Sequence, residues 1–338
     1  MAQTYLGYPF DPEIFDYNWA SETDPTLTAI LNSGVMQENG EIANLISNGS
    51  DVYTIPFYKT IGGTPENYDG QTDVTTDTAN GSYQSGIVYG RMHGWTASDF
   101  VVDYNSGADP MQQITSQVGK FWLHQRQAKL VGILEAIFGV TGTGDFADWE
   151  KHKIDITGNT TGTLNAADAN DAMQAALGDN RSAFSMAIMH SKVAANLESL
   201  NLLNFRKYTD SNGVERSLNI ADYNGLTVIV DDGVPTAKAS GDTGAKYTTY
   251  LLGNGVLQHA NASVKVPSEV VRDAFKNGGQ ETLITRVRET IHPNGFTFVK
   301  PATGYTASPT DTQLFDSKNW QIVGNPKNIA AARIISLG

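Results

Sequence analysis

One stretch constrains this chain more than any other: residues 110–138, where apolar positions recur at helical spacing without a break. Asp109 is a good N-cap, Pro110 takes the first helical position and Gln112 completes a capping box. Gly139 supplies the stop. At 1.5 Å per residue such a helix is about 43 Å long, far above the usual three turns. In its first half the apolar stripe is Met111, Ile114, Val118, Phe121 and Trp122. In its second half it becomes Leu130, Ile133, Leu134, Ile137 and Phe138. At about 100° per residue the two stripes point roughly 90° or more apart. A helix with two differently aimed faces bridges two packing partners, so the chain is built on a beam.

The flanking segments are unlike it. Residues 1–50 read as an arm with short helices at Thr26 to Ser33 and Asn39 to Ile46, too poor in large apolar residues to fold alone. Asp51 to Tyr58 alternates as a strand, and Pro56 places it at an edge. Gly62 to Gly86 then runs almost without aliphatic residues before Ile87 to Tyr89 and Met92 to Phe100 resume an apolar pattern. Two strand-like arms around a polar tip predict a long excursion, a β-hairpin or a surface loop. From Ala166 an α/β rhythm begins: a helix to Leu177, a strand Phe184 to Met189, and a helix from Ser191, its N-cap, to about Leu203. Asp210 to Gly213 follows as a hairpin turn, then a buried strand Leu226 to Val230. Further strands are expected at Tyr247 to Leu252, Gly255 to His259, Glu281 to His292 and Phe296 to Val299, the last two joined as a hairpin at Pro293-Asn294-Gly295. A short helix and an apolar strand around Ile329 to Leu337 end the chain.

Composition narrows the functions. Asp+Glu 36 against Lys+Arg 23 give a net charge of -13, which argues against adhesion to nucleic acid through phosphates. With Cys 0, disulfides, thiolate metal sites and thiol nucleophiles are excluded. No signal-like N-terminus and no membrane-length apolar run is present, so no membrane partner and cytoplasmic folding are expected.

Motifs for catalysis are absent too: no G-x-G-x-x-G, no P-loop, no H-E-x-x-H and no G-x-S-x-G. His93, His124, His152, His190, His259 and His292 include no pair at helical ligand spacing. Asp231-Asp232 reads as charged turn residues before it reads as a carboxylate pair. Asp210-Ser211-Asn212-Gly213 starts like a calcium loop, but Ala221 stands where the bidentate Glu belongs. His190-Ser191 lacks the glycines of a nucleophile elbow. No catalytic, cofactor-binding or metal-ligating residue is assigned, and no cofactor is expected.

The order of elements carries a resemblance. Tyr53-Thr54-Ile55-Pro56-Phe57 opens the excursion and His93-Gly94-Trp95-Thr96-Ala97-Ser98-Asp99 closes it. Asp109-Pro110-Met111 starts the long helix, with Phe121, Trp122, Gln125 and Gln127 in its middle. Met189-His190-Ser191-Lys192-Val193, Leu226 to Pro235, Tyr247 to Gly253, His292-Pro293-Asn294-Gly295, Asn319-Trp320 and Lys327-Asn328-Ile329 follow. In this order, over most of the chain, these stretches resemble the major capsid proteins of tailed bacteriophages and prophages.

The resemblance implies an α+β tailed-phage capsid fold: an N-terminal arm (1–50), an extended loop (51–104), a spine helix with peripheral domain (105–149), an axial domain (150–263), and peripheral return strands with the C-terminal segment (264–338). It implies a structural protein and not an enzyme, forming hexamers and pentamers of an icosahedral head around double-stranded DNA, without sequence-specific binding. Expected partners are other copies of the chain, a separate scaffolding protein, a portal and, in some heads, a decoration protein. The virion is the expected location, with assembly in the host cytoplasm. Tyr68, Asp69, Asn80 and Tyr83 on the excursion are the candidate subunit contacts. Only Lys59 stands at the excursion's base and no lysine at its tip, so no covalent cross-link is expected. The alternatives are a nanocompartment shell of the same fold, a tail or decoration protein, and an enzyme using Asp231 or Asp232.

Overall fold

The computed structural model describes residues 34–337 except 48, 60, 72, 100–109, 160, 210–214 and 239–244, together with the paired strands Thr4–Tyr5 and Tyr8–Pro9. The expected helix at Thr26 to Ser33, the Asp109 cap and the Asp210 to Gly213 turn lie outside the described residues.

The long helix spans Pro110–Gly139, and its two stripes find two partners. In the first half, Phe121 stacks on His93 at 5.3 Å and meets the Trp95 ring edge-on at 5.1 Å, while Trp122 Nε1 donates to Thr285 Oγ1 at 3.1 Å. Those partners belong to a five-stranded sheet, in which the long strand Gln280–Pro293 is flanked on one side by Tyr89–Ser98. On its other side lie Ser268–Asp273 and Leu257–Asn261, end to end, and Met36–Glu38 adds in parallel to the latter. In the second half, Leu130, Ile133, Leu134, Ile137 and Phe138 are fully buried against Tyr250 and Leu252. These belong to a mixed eight-stranded sheet made of Lys153–Asp155, Phe184–Met189, Asn204–Thr209, Glu215–Tyr223, Leu226–Val230, Thr236–Lys238, Ala245–Gly253 and Ala331–Leu337.

The eight-stranded sheet is covered on both faces. Period-2 alternation sends Met186, Ile188, Tyr250 and Leu252 toward the long helix, and Ala187, Met189 and Leu251 toward helices Ala166–Leu177 and Ser191–Ser199. Helix Ala166–Leu177 starts with a capping box, in which Asn165 accepts from Ala167 N at 2.9 Å and Asp168 accepts from Asn165 N at 2.9 Å. Gly132 interrupts the long helix at a propensity cost of about 1 kcal/mol. A Cβ there would lie 2.4 Å from the Phe315 ring, so the glycine is the seat on which Phe315 packs.

A buried polar knot ties the helix to the five-stranded sheet. Arg126 Nε meets Glu289 Oε2 at 2.7 Å, His259 Nε2 lies 3.3 Å from the same oxygen, and Tyr89 OH donates to Oε1 at 3.3 Å. Burial pushes the Glu289 carboxyl up, but the hydrogen bond from His259 and the Arg126 guanidinium outweigh it and hold its pKa below the ordinary value. On the other side, Glu135 accepts from Tyr250 OH at 2.7 Å and from Arg333 Nη1 at 3.2 Å.

Two local expectations are corrected. Ser191 is not the cap of its helix; His190 is, its Nδ1 accepting from Lys192 N at 3.1 Å, and the helix ends at Ser199. Pro293-Asn294-Gly295 is a turn, but the strands beside it do not form a hairpin. Phe296–Phe298 pairs instead with Trp320–Ile322, and Gly295 O extends that pairing by accepting from Val323 N and Gly324 N. The last strand, Ala331–Leu337, joins the eight-stranded sheet, and Leu257–Asn261 joins the five-stranded one, so the sheets cross the expected limits at 150–263 and 264–338. The crossing between them is made at Asn254-Gly255, where Gly255 has a φ of +70°.

Candidate subunit-contact surface

The excursion begins as a ladder. Val52–Tyr58 pairs antiparallel with Gly81–Ile87, from Val52 opposite Ile87 to Tyr58 opposite Gly81. The returning arm therefore starts inside the polar run GSYQSG, and Tyr89–Ser98 belongs to the five-stranded sheet. What makes strand of so polar a segment is its partner. The buried Tyr53 ring lies over Gly86, where a Cβ would come within 2.2 Å of it, and Tyr53 OH pairs with Thr290 Oγ1 at 3.0 Å. Helix Gly40–Ser47 packs beneath through Ile42 and Ile46.

Alternation gives the stalk two faces. Tyr53, Ile55 and Phe57 point one way with Gln84; Thr54, Pro56 and Tyr58 point the other with Tyr83 and Ser85. The outward face thus gathers Tyr58, Pro56 and Tyr83, with Tyr58 at 86% and Tyr83 at 61% exposure. Beyond Tyr58 the two arms run on without a strand ladder. Lys59 N donates to Asn80 O at 2.9 Å, Glu66 accepts from Thr75 N at 3.3 Å, and Asp69 accepts from Gln71 N at 2.9 Å. Hydrogen bonds from Thr75 hold the Glu66 carboxyl below the usual range.

The four residues singled out from the sequence are all solvent-facing. Tyr83 joins the outward patch and Asn80 closes the ladder, while Tyr68 and Asp69 stand at the tip, Tyr68 at 93% exposure. Tyr58, Ile61 and Val74 are equally bare and were missed. Their signal was available: isolated large apolar residues inside a polar run have no core to enter. A second bare apolar group, Val270, Val271 and Phe275, lies on edge strand Ser268–Asp273 and the turn after it.

The catalytic candidates resolve into structure. Asp231 is buried, where it accepts from Gln127 Nε2 and from Gly233 N, the latter at 2.7 Å. Asp232 accepts from Ser191 N at 3.0 Å and lies 3.6 Å from His190 Nδ1. His190, Ser191 and Asp232 therefore meet, but His190 uses the same nitrogen toward all its partners. A triad needs one ring nitrogen for the hydroxyl and the other for the carboxylate. Hollows of about 770 and 450 Å³, beside Gln37 to Asn44 and beside Val140 and Trp320, contain none of these residues. Among the described residues, no group of three or more His, Asp or Glu is placed to hold a metal, and no helix is long and apolar enough to cross a membrane.

A two-sheet body on a bridging helix, with bare apolar groups on a projecting hairpin, defines a class of structural chain completed by neighbours. Solved capsid structures share the architecture. That of Ralstonia phage GP4 matches with a TM-score of 0.55 at 10% identity, over 90% of this chain and 87% of that one. That of cyanophage Pam1 matches at 0.54 and 9% identity, over 87% of each. The major capsid protein of Bacillus phage SPP1 is 30% identical over 331 residues, 97% of either chain. The family model "Gp13-like: Major capsid protein 13-like" matches residues 138–332. The chain belongs to this family of major capsid proteins. It is a structural, non-enzymatic component of the virion that builds the icosahedral phage head from pentamers and hexamers.

Proposed function

We propose that within the head each extended hairpin lies on a neighbouring copy of the chain, with Tyr58, Tyr68, Asp69, Asn80 and Tyr83 in the contact. One observation carries this reading: Tyr58, Ile61, Tyr68, Val74 and Tyr83 are all more than 60% exposed on one projection. Bare apolar residues so concentrated mark an interaction surface. A ring contact between unlike surfaces suits them, because the hairpin tip and its seat are different parts of the chain. Pro56 on the outer strand blocks backbone pairing at that edge, so the contact runs through side chains.

The segment from 1–50 serves as arm and 51–104 as extended loop; 105–149 and 264–338 form the peripheral domain and 150–263 the axial domain, with strand Leu257–Asn261 lent to the five-stranded sheet and strand Ala331–Leu337 to the eight-stranded one. The head encloses double-stranded DNA without sequence-specific binding. The net charge of -13 supports an inner wall that does not hold the packaged polymer. A separate scaffolding protein and a portal complete assembly, and the lysine-free tip leaves subunits uncross-linked.

Replacing Tyr58 and Tyr83 together by Ser tests the contact in the full chain. Closed shells seen by negative stain should become rare while the unassembled subunit keeps its melting temperature. Shells in normal yield would remove the hairpin from the interface. A covalent ladder surviving boiling in SDS would overturn the uncross-linked state, and nuclease-protected DNA in purified heads separates a genome container from a protein-filled shell.

A further inference from the structure

The stalk of the hairpin is fastened to the body at several points, and one is unlike the rest. Near its base, Ser85 N donates to Thr297 Oγ1 at 3.2 Å and Tyr53 OH reaches Thr290. One step farther out stands Gln84, opposite Ile55. Its side chain engages the turn after the long strand at three places. Gly295 N donates to Gln84 Oε1 at 2.9 Å, His292 Nε2 lies 3.2 Å from the same oxygen, and Gln84 Nε2 donates to Asn294 Oδ1 at 3.2 Å.

The chemistry fixes the orientation. A backbone N–H only donates, so the amide end facing Gly295 is the oxygen, and His292 must then donate from Nε2. His292 Nδ1 is left without a hydrogen or a partner inside a fully buried ring. The turn itself does not yield. Asn294 N is bonded to Val256 O at 2.9 Å, and Gly295, at a φ of +87°, has no room for a Cβ, which would lie 2.7 Å from Ile329 Cδ1. A rigid turn therefore presents two donors and an acceptor to one flexible side chain of the stalk. Three directed bonds on one planar amide fix orientation as well as distance.

We infer that Gln84 is a positioning residue for shell assembly: clamped by the turn His292–Gly295, its amide sets the direction in which the hairpin leaves the body. The inference rests on the reading that the hairpin contacts a neighbouring copy. A hairpin aimed wrongly still folds, but it meets its neighbour at the wrong place.

The test uses the full chain carrying Gln84→Ala. In the unassembled subunit, amide exchange at Ile55, Phe57 and Ser82–Ser85 should rise about tenfold or more, while that of Leu257–Asn261 stays unchanged. Under conditions in which the unsubstituted chain closes shells, the variant should give open sheets or shells of scattered diameter. Gln84→Glu, which keeps the acceptor toward Gly295 and His292, should restore most of the normal product. Unchanged exchange, or raised exchange with shells of normal diameter, overturns the inference. If Gln84→Ala does not fold, Asn294→Ala opens the clamp from the body side, and the same two readouts decide. The Tyr58→Ser, Tyr83→Ser chain leaves the clamp intact; normal assembly there would sink the contact reading alone, with exchange in the stalk unaltered.

Discussion

The two halves of the long helix and the projecting hairpin are held by opposite means. Around Leu130 to Phe138, fully buried rings and aliphatic chains fill the space between two sheets, and the nearby Glu289 carboxylate is matched by Arg126, His259 and Tyr89. Along residues 58–83 the large side chains face water and the strand ladder stops at Tyr58 and Gly81. An isolated two-stranded ribbon is marginal in water. The core of the body is thus packed within one chain, whereas the hairpin, on the contact proposed above, is half of a packing arrangement. The contrast separates subunit stability from assembly, and each can be perturbed without the other.

The largest effect on the body should come from Glu289→Ala. Removing one partner of a buried ionic knot leaves Arg126 and His259 facing an apolar gap, which costs about 3–5 kcal/mol. Urea unfolding of the unassembled subunit measures it; a loss below about 1 kcal/mol would show that the knot is dispensable.

Acid comes next. Burial lowers His292 from 6.5 to about 4, with no charged group near enough to oppose it. The folded state therefore binds its proton less readily than the unfolded one. The associated stability is present above pH 6.5 and is lost as pH falls toward 4, by about 3 kcal/mol in all. Glu289, held below its usual range, loses its own contribution on the same acid side. Melting curves between pH 7 and pH 4 should fall steeply, and His292→Gln should flatten them; an unaltered slope would mean that His292 does not titrate in this window.

A smaller effect belongs to helix Ala166–Leu177. Asn165→Ala removes the side chain that caps Ala167 N and should cost about 1 kcal/mol in the same urea series, with shells still forming. The smallest shift in subunit stability, under about 0.5 kcal/mol, is expected for Tyr83→Ser, since an exposed side chain is lost. If that single change destabilised the isolated subunit by more, the hairpin would pack on its own body and the contrast between regions would fail.

Much of the body was legible in the sequence. The long helix announced itself through its capping signals and its changing stripe, and both of its packing partners exist. Helix Ala166–Leu177 and strand Leu226–Val230 were equally plain because local composition and burial agree there. What escaped were pairings decided at a distance. Gly81 to Gly86 has no apolar alternation, and it is strand only because Val52–Tyr58 lies beside it with the Tyr53 ring filling the space above Gly86. Phe296–Phe298 looked like the return of a hairpin, yet its partner stands more than twenty residues on, at Trp320–Ile322. The choice of His190 over Ser191 as cap turns on one backbone step that composition does not encode. At the candidate contact surface, Tyr68 and Tyr83 were readable as aromatics in a polar stretch. Tyr58 was hidden because alternation assigns it to a strand without saying which face that strand buries.

The long helix has one more consequence. It is anchored near its middle by Phe121 and Trp122 in the five-stranded sheet and toward its C-terminal end by Leu130 to Phe138 against the eight-stranded sheet. Thirty residues make a rod of about 45 Å. From Phe121 to its C-terminal end the rod is about 27 Å, so a tilt of about 5° at that anchorage carries the end through about 2 Å, more than half a side-chain contact. The helix is thus a lever that couples the two sheets: a small rotation of one displaces the packing row of the other.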